Sequence, residues 1–167
     1  MKMPKAVLIS IKPKWVEKIM SGEKTIEVRR TAPKEVPFKC YIYCCKDNAQ
    51  IIVLLKDYKN RFSFGDYRNA DGHFYDVANR TVIGEFICDK VEEIIPDYNP
   101  VTEKFFYGYV IDTTPTCLSE EELQNYGRNK PLYGWHISDL KIYDKPLSLS
   151  ELGVNHPPQS YMFVEEI

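Results

Sequence analysis

Short strand-like segments recur along most of the chain, and this pattern constrains the fold more than any other feature. Runs rich in β-branched and aromatic residues, bounded by turn residues, predict strands; they cover residues 39–45, 50–56, 73–77, 81–91, 132–143 and 161–165. The long alternation of strand and helix that marks a doubly wound nucleotide-binding fold is missing. We therefore expect an α+β, mostly β fold, built as a β-barrel with two or three short helices.

Two stretches carry clear helical signals. Residues 13–20 place their apolar side chains on one stripe and their charged side chains opposite, and Gly22 then tolerates the left-handed conformation that ends a helix. Residues 119–126 begin with a capping box, in which Ser119 and Glu122 satisfy each other's backbone N–H groups. Both helices are short, so the strands must form most of the core.

Length and charge limit the function classes. A chain of 167 residues with 44% hydrophobic and 28% charged residues is long enough for one core. We expect a single domain over residues 1–167, with an insertion at about 47–80. A net charge of −2 argues against binding of duplex nucleic acid by bulk electrostatics. Any contact with nucleic acid must be local.

The chain shows no membrane or secretion signal. No apolar run approaches the roughly 18 residues that span a bilayer, and no apolar segment near residue 1 precedes a small-residue cleavage site. We therefore expect a cytoplasmic protein with no membrane partner. Nothing in the sequence specifies an oligomeric state.

The cysteines favour neither disulfides nor metal. Their number is odd, five, and no C-x-x-C pair occurs. Cys40 and Cys44 share one face of a predicted strand with Cys45 opposite, which favours buried free thiols. A metal site built from Cys44, Cys45 and a histidine is the weaker alternative, so we expect no metal and no cofactor.

The segment 47–80 is polar and aromatic, and it reads as an insertion into the barrel. Asp71-Gly72 is a strong turn signal, which predicts a hairpin over residues 67–77. Its aromatic residues have two interpretations. They form a stacking surface for single-stranded bases or, as we favour, the buried face of a small hairpin; they are Phe62, Phe64, Tyr67 and Tyr75.

The segment from Gly22 to Arg30 places a lysine, a glutamate and two arginines on one short predicted strand. Alternation puts Thr25, Glu27 and Arg29 on one face and apolar residues on the other. One interpretation is an amphipathic strand with a solvated Glu27–Arg29 pair that contributes little to stability. The other is a row of ligand-binding side chains.

A resemblance favours the second interpretation. The order strand, helix and G-x-K-x-x-E-x-R, here Gly22, Lys24, Glu27 and Arg29, resembles the signature of the ASCH superfamily, whose members have a PUA-like barrel. Residues 157–162, Pro-Pro-Gln-Ser-Tyr-Met, resemble the lead-in to the terminal strand of some ASCH proteins. The resemblance implies a cleft between the first helix and the barrel, with the lysine and the glutamate at its floor.

The same resemblance supplies the remaining site candidates. Thr25, inside the motif on the same face as Glu27, and Arg30, directly after the motif, join the candidate ligand-binding residues. Gly84-Glu85 looks like the third strand region of ASCH proteins, which makes Glu85 a weaker candidate for the cleft. Gly84 itself suits a bulge or a close backbone approach, and Trp135 suits the core.

The chemistry of the motif suits a nucleobase. Glu27 can accept hydrogen bonds from an amino group and a ring N–H, while Lys24 and Arg29 can meet carbonyl or phosphate oxygens. The expected partner is RNA, a nucleoside or a nucleotide, with a modified or unmodified base. We place binding without turnover slightly ahead of hydrolysis.

Two alternatives stay open. Some superfamily members are amidohydrolases of N4-acylated cytidines, with a lysine in this motif, a threonine three residues later and a distant glutamate. Lys24 matches, but Glu27 stands at the threonine position, so an amidohydrolase or ribonuclease would use Glu27 as general base and Lys24 to stabilise an oxyanion. The other alternative is a protein-interaction module that works through the 47–80 insertion.

Overall fold

The computed structural model of the protein describes residues 5–50, 52–55, 62–64, 75–108 and 111–167. Within these residues the α-helices are α1 (Pro13–Met20) and α2 (Glu120–Gly127). The strands are β1 (Lys5–Ile11), β2 (Ile26–Arg29), β3 (Phe38–Cys44), β4 (Ile52–Leu55), β5 (Phe62–Phe64), β6 (Tyr75–Val77), β7 (Thr81–Cys88), β8 (Val91–Ile94), β9 (Asp97–Asn99), β10 (Lys104–Phe106), β11 (Leu132–His136), β12 (Ser138–Leu147) and β13 (Tyr161–Glu165). The expected α+β, mostly β class is confirmed.

Two sheets carry the body of the fold. The larger has five strands in the order β12-β7-β3-β1-β13, with β1 and β3 parallel and the other pairs antiparallel. The second has three antiparallel strands in the order β2-β11-β8. Strands β9 and β10 form a separate antiparallel pair. Closure of these sheets into a barrel stays a prediction.

The central strands β1 and β3 of the five-stranded sheet are buried on both faces, which explains the uninterrupted apolar run of β1. Val7, Ile9 and Ile11 face a core cluster that includes α1 and Trp135. Ala6 and Leu8 face a second cluster on the opposite side. A strand buried on both faces needs no polar alternation. Trp135 is fully buried in the first cluster, as predicted. Its ring contacts the rings of Phe38 and Tyr161 edge to face.

Both helices follow their sequence signals. Helix α1 spans the predicted residues, and Gly22 after it has φ +81°, a left-handed conformation that suits glycine. Helix α2 has the predicted capping box of Ser119 and Glu122. Its Leu123 packs with Val28 of β2 in a third cluster, so α2 supports the strand that carries the motif.

Two predicted strands are each two separate strands in the structure, so their predicted continuity is wrong. The continuous strand over 81–91 is broken after Cys88, and the one over 132–143 is broken at Ile137. At each break the chain leaves one of the main sheets for the other: β7 and β12 belong to the five-stranded sheet, and β8 and β11 to the three-stranded one. Both halves read as strand, so composition could not show the change of sheet.

The insertion contains a small sheet of its own, in the order β5-β4-β6. Strand β6 covers the described end of the predicted 67–77 hairpin and pairs with β4. The Asp71-Gly72 turn and the rest of that hairpin lie outside the described residues.

Gly84 lies both at a close approach of two strands and beside a bulge, the two features predicted for it. A β-carbon at this position would lie 2.3 Å from the carbonyl oxygen of Lys141 on the neighbouring strand β12. The pairing of β7 with β3 also shifts register beside it, between Ile42 and Tyr43. Glycine is therefore required for close approach of two strands.

Cys40, Cys44 and Cys88 are free and buried, as expected for thiols that pack in a core. Among the described residues, no group of three or more histidine, cysteine, aspartate or glutamate side chains is arranged to hold a metal ion. The helices in this part of the chain are too short or too polar to cross a membrane.

Candidate functional site

A cavity of about 660 Å³ lies beside α1 and β2. Its walls come from segments far apart in sequence: the end of β1, the start of α1, the motif strand, α2 with the loop before it, and the segment that precedes β13. The lining residues are Ser10, Ile11, Lys12, Trp15, Lys24, Glu27, Val28, Arg29, Arg30, Thr31, Cys45, Leu118, Tyr126, Pro158, Gln159 and Ser160. The two segments that resemble ASCH proteins thus meet at one cavity.

Glu27 lies between the two cations of the motif. Its Oε2 is 3.3 Å from Lys24 Nζ, and its Oε1 accepts a hydrogen bond from Arg29 Nε at 3.0 Å, with Arg29 Nη2 at 2.9 Å. All three side chains are buried, with residue exposures of 1% for Lys24, 5% for Glu27 and 8% for Arg29. The solvated-pair interpretation of this strand is therefore wrong, because both side chains of the pair are buried.

Lys24 is held from three directions. Its Nζ donates a 2.6 Å hydrogen bond to the carbonyl of Thr116, faces Glu27, and lies 5.1 Å from the centre of the Trp15 ring. The Thr116 carbonyl is itself fixed by a short 3₁₀ turn over Thr114–Thr116. A lysine with these contacts has little freedom to move.

Ser10 connects the motif to the far end of the chain. Its carbonyl accepts a 2.7 Å hydrogen bond from Arg29 Nη2. Its hydroxyl donates to the Pro158 carbonyl at 2.6 Å, and its backbone N–H donates to the Ser160 carbonyl at 3.0 Å. The segment before β13 is thereby fixed as one wall of the cavity.

Arg30 occupies the α2 side of the cavity. Its Nε donates a 2.9 Å hydrogen bond to the Tyr126 carbonyl, and its guanidinium lies 4.8 Å from the centre of the Tyr126 ring. Unlike the three preceding charged residues, Arg30 is exposed. Stacking and one hydrogen bond orient this arginine while leaving it open to solvent.

Cys45 contributes a thiol to the cavity wall. Burial raises its pKa, and the nearby charges of Arg29 and Lys12 partly oppose that shift. The thiol is therefore protonated at neutral pH, which makes it a weak nucleophile.

The structure brings four of the six candidates together and separates two. Lys24, Glu27, Arg29 and Arg30 line the cavity, whereas Thr25 does not: it precedes β2 and is exposed. We correct the expectation for Thr25 because alternation fails at the start of a strand, where the backbone instead bonds to the Pro115 carbonyl.

Glu85 is also misplaced by the sequence argument. It lies on β7, accepts a hydrogen bond from the Tyr143 hydroxyl, and stands 3.8 Å from Lys39 Nζ. Burial, followed by the effect of Glu85, raises the pKa of Tyr143. These residues line a different pocket, so Glu85 does not take part in the cavity beside α1.

Sequence reasoning missed Ser10, Lys12, Thr116 and Tyr126. Only Ser10 carries a signal, because it is the one hydroxyl residue in an otherwise apolar β1 core segment. Lys12 precedes α1 and Thr116 ends a 3₁₀ turn, whereas Tyr126 packs beside Leu123 on the apolar side of α2. Nothing in the sequence marks these three as site residues.

Comparison with known proteins identifies the fold. No protein-family model matches the sequence, and no curated protein matches it. The solved structure of ASCH from Zymomonas mobilis is 18% identical, with 96% of this chain and 88% of that chain aligned at a TM-score of 0.60. Two single-residue variants of the Z. mobilis protein are 17% identical at TM-scores of 0.61, with 96% and 99% of this chain and 91% and 92% of theirs aligned.

At this level of identity the comparison shows the fold alone. The chain has the fold of these ASCH proteins along nearly its whole length, as the sequence resemblance implies. What the cavity binds must be argued from its own residues.

Proposed function

We propose that the chain is a cytoplasmic, single-domain ASCH protein with a PUA-like barrel, and that it recognises an RNA or nucleotide base in the cavity beside α1. The observation that carries this proposal is the buried Lys24–Glu27–Arg29 network, which reaches a cavity that Trp15 also lines. Polar groups fixed in a concave pocket are what a small-ligand site requires.

The cavity has the right size and walls for a base. Its volume of about 660 Å³ lies within the range of small-molecule sites. Trp15 places an indole ring in the cavity wall, and aromatic stacking is the common way proteins hold an unpaired base. Tyr126 adds a second aromatic ring to the lining.

Glu27 can still read the edge of a base. A carboxylate has acceptor capacity for about four hydrogen bonds, and the contacts from Arg29 are concentrated on Oε1. Oε2 faces Lys24 at 3.3 Å and keeps capacity for an amino or ring N–H. Because both cations hold Glu27 in place, little reorganisation is needed on binding.

Hydrolysis is the second candidate. It is favoured by the 3.3 Å distance between Lys24 Nζ and Glu27 Oε2, which meets the requirement that a base and an oxyanion-stabilising group converge. Binding is preferred because both carboxylate oxygens of Glu27 already face cations, and a general base must instead contact the attacking water.

The experiment is a ligand panel with two readouts. Purified protein is mixed with N4-acylated cytidines, other modified nucleosides and short single-stranded RNAs. Native mass spectrometry then reports retained ligand, and chromatography with mass detection reports product. The variants are Trp15→Leu and Glu27→Gln, and their matched controls are Tyr98→Leu, an exposed aromatic outside the cavity, and Glu23→Gln, an exposed glutamate on the same segment.

We expect retained ligand without product. Retention should be lost in Trp15→Leu and in Glu27→Gln, each measured at a temperature where thermal unfolding shows the variant to be folded, and kept in both controls. Product that depends on Glu27 would instead establish the hydrolase. Retention that survives both cavity variants would move the function elsewhere, with the 47–80 insertion as the next region to delete. A wild-type protein that retains and converts nothing in this panel would refute the proposal.

A further inference from the structure

We infer that the ligand carries a phosphate group, and that Lys12 and Arg30 hold this group at the rim of the cavity. The inference rests on the proposed function and narrows it, because it separates a nucleotide or RNA from a free nucleoside. Two observations support the inference: the cavity is lined mainly by cations, and only some of these cations already pair with Glu27.

The cavity is locally basic in an acidic chain. Four cations, Lys12, Lys24, Arg29 and Arg30, line it, against the one carboxylate of Glu27, whereas the chain as a whole has a net charge of −2. A concave surface of one sign focuses its potential on a ligand of the opposite sign. A neutral nucleoside carries no negative charge with which these cations could pair.

The motif cations cannot be the ones that meet a phosphate. Lys24 is engaged by Glu27 and the Thr116 carbonyl, and Arg29 by Glu27 and the Ser10 carbonyl. Moving either cation to a phosphate would leave Glu27 with a single partner in a buried position, at a high cost. The sequence predicts that Lys24 and Arg29 meet phosphate oxygens. In the structure this role instead suits Lys12 and Arg30.

Lys12 is available on the β1–α1 side. It is exposed, and within the described part of the chain it takes part in no ion pair. It also directly precedes α1, whose first turn holds no acidic residue and no side-chain cap. The positive end of this helix therefore adds to the charge of Lys12.

Arg30 is available on the α2 side, and it is pre-oriented. Its Nε donates a hydrogen bond to the Tyr126 carbonyl, and its guanidinium carbon lies over the Tyr126 ring. No carboxylate among the described residues pairs with it. The remaining guanidinium N–H groups form the fork that binds phosphate oxygens in pairs.

The test compares ligands that differ only in phosphate. Isothermal titration calorimetry is run with the four ribonucleosides, their 5′- and 3′-monophosphates, and the four homotrinucleotide RNAs, on wild type, Lys12→Gln, Arg30→Gln and the control Lys34→Gln. Lys34 is exposed, lies four residues after Arg30 and does not line the cavity. Thermal unfolding of each variant verifies that it is folded.

Charge-assisted hydrogen bonds of this kind predict that one phosphate improves affinity by roughly tenfold or more. We expect a monophosphate to bind more tightly than its nucleoside by this factor. Lys12→Gln and Arg30→Gln should each remove most of the gain in affinity, and Lys34→Gln should keep it. The gain should also shrink as salt is raised from about 50 to 300 mM, because both rim cations are exposed. A trinucleotide that gains more than any monophosphate, with loss in the same variants, would identify the RNA backbone as the source.

Three results would overturn the inference. Equal affinity for nucleosides and monophosphates would leave the base cavity standing and remove the phosphate site. A phosphate gain that survives both rim variants would place the phosphate elsewhere. Binding of none of these ligands by the wild type would refute the proposed function together with the inference.

Discussion

Replacing Glu27 with glutamine should destabilise the protein strongly, although the change is nearly isosteric. Glu27 is 5% exposed and faces Lys24 at 3.3 Å and Arg29 at 2.9 Å. A glutamine oxygen can still accept from Arg29, but its NH₂ group then faces the Lys24 ammonium, donor against donor. Removing one partner of a buried ion pair costs about 3–5 kcal/mol, and the retained Arg29 contact places this variant near the lower end, about 3 kcal/mol.

Equilibrium unfolding in urea measures this change. With a denaturant dependence of about 1–3 kcal/mol/M for a domain of this size, a loss of about 3 kcal/mol should lower the midpoint by roughly 1–3 M. The double variant Lys24→Met/Glu27→Gln should regain part of the loss, because it removes the buried cation that the single variant leaves without a carboxylate.

Glu23→Gln is the matched control, since Glu23 pairs with Lys18 at 2.8 Å on the surface. Its unfolding midpoint should equal that of wild type within error. If Glu27→Gln were as stable as Glu23→Gln, or if the double variant were no more stable than the single one, the buried network would contribute no coupling and the reasoning would fail.

The remaining predictions concern the fold around the site. Gly84→Ala should cost about 1–3 kcal/mol in urea unfolding, because its β-carbon would lie 2.3 Å from a backbone oxygen of β12; an unchanged midpoint would contradict this close approach. Ser119→Ala should cost about 1 kcal/mol by removing the α2 cap, and Ser119→Asp should restore it; equal stability of all three proteins would show that the cap is not needed. Burial raises the pKa of Cys44 to about 12 and that of Cys88 to about 11, from 9.0, so both thiols should resist alkylation in the native protein at pH 8. Since unfolded thiols ionise near pH 9 and folded ones do not, the free energy of unfolding should fall as pH rises from 9 towards 11–12; stability that is flat over this range would refute the shifts.

The local elements around the site were predictable because their signals are local. The stripe of α1, the glycine after it and the capping box of α2 each depend on neighbours within a few residues. The spacing of Lys24, just before β2, and of Glu27 and Arg29 on β2 is of the same kind. These elements and this spacing can therefore be predicted without knowing the tertiary structure.

The rest of the site depends on which distant segments meet. Whether the Glu27–Arg29 pair is solvated or buried is decided by the walls that cover it, and these come from Ser10, Thr116 and the segment before β13. The change of sheet at Ile137 has the same origin, because sheet membership is set by pairing and not by composition. The closeness of Lys12 and Arg30 to one cavity could be seen only once the fold was known.

The most direct test of the account is a fluorescence titration that uses Trp15 as the reporter. The chain has two tryptophans, of which Trp135 is fully buried in the core and Trp15 lines the cavity. Titration with short single-stranded RNAs and nucleoside monophosphates should quench the wild-type emission with a saturable curve, and Trp15→Phe should lose the quench while keeping the emission of Trp135. Quenching that persists in Trp15→Phe, or no saturable quenching by any base-containing ligand in the wild type, would contradict a base-binding cavity beside α1.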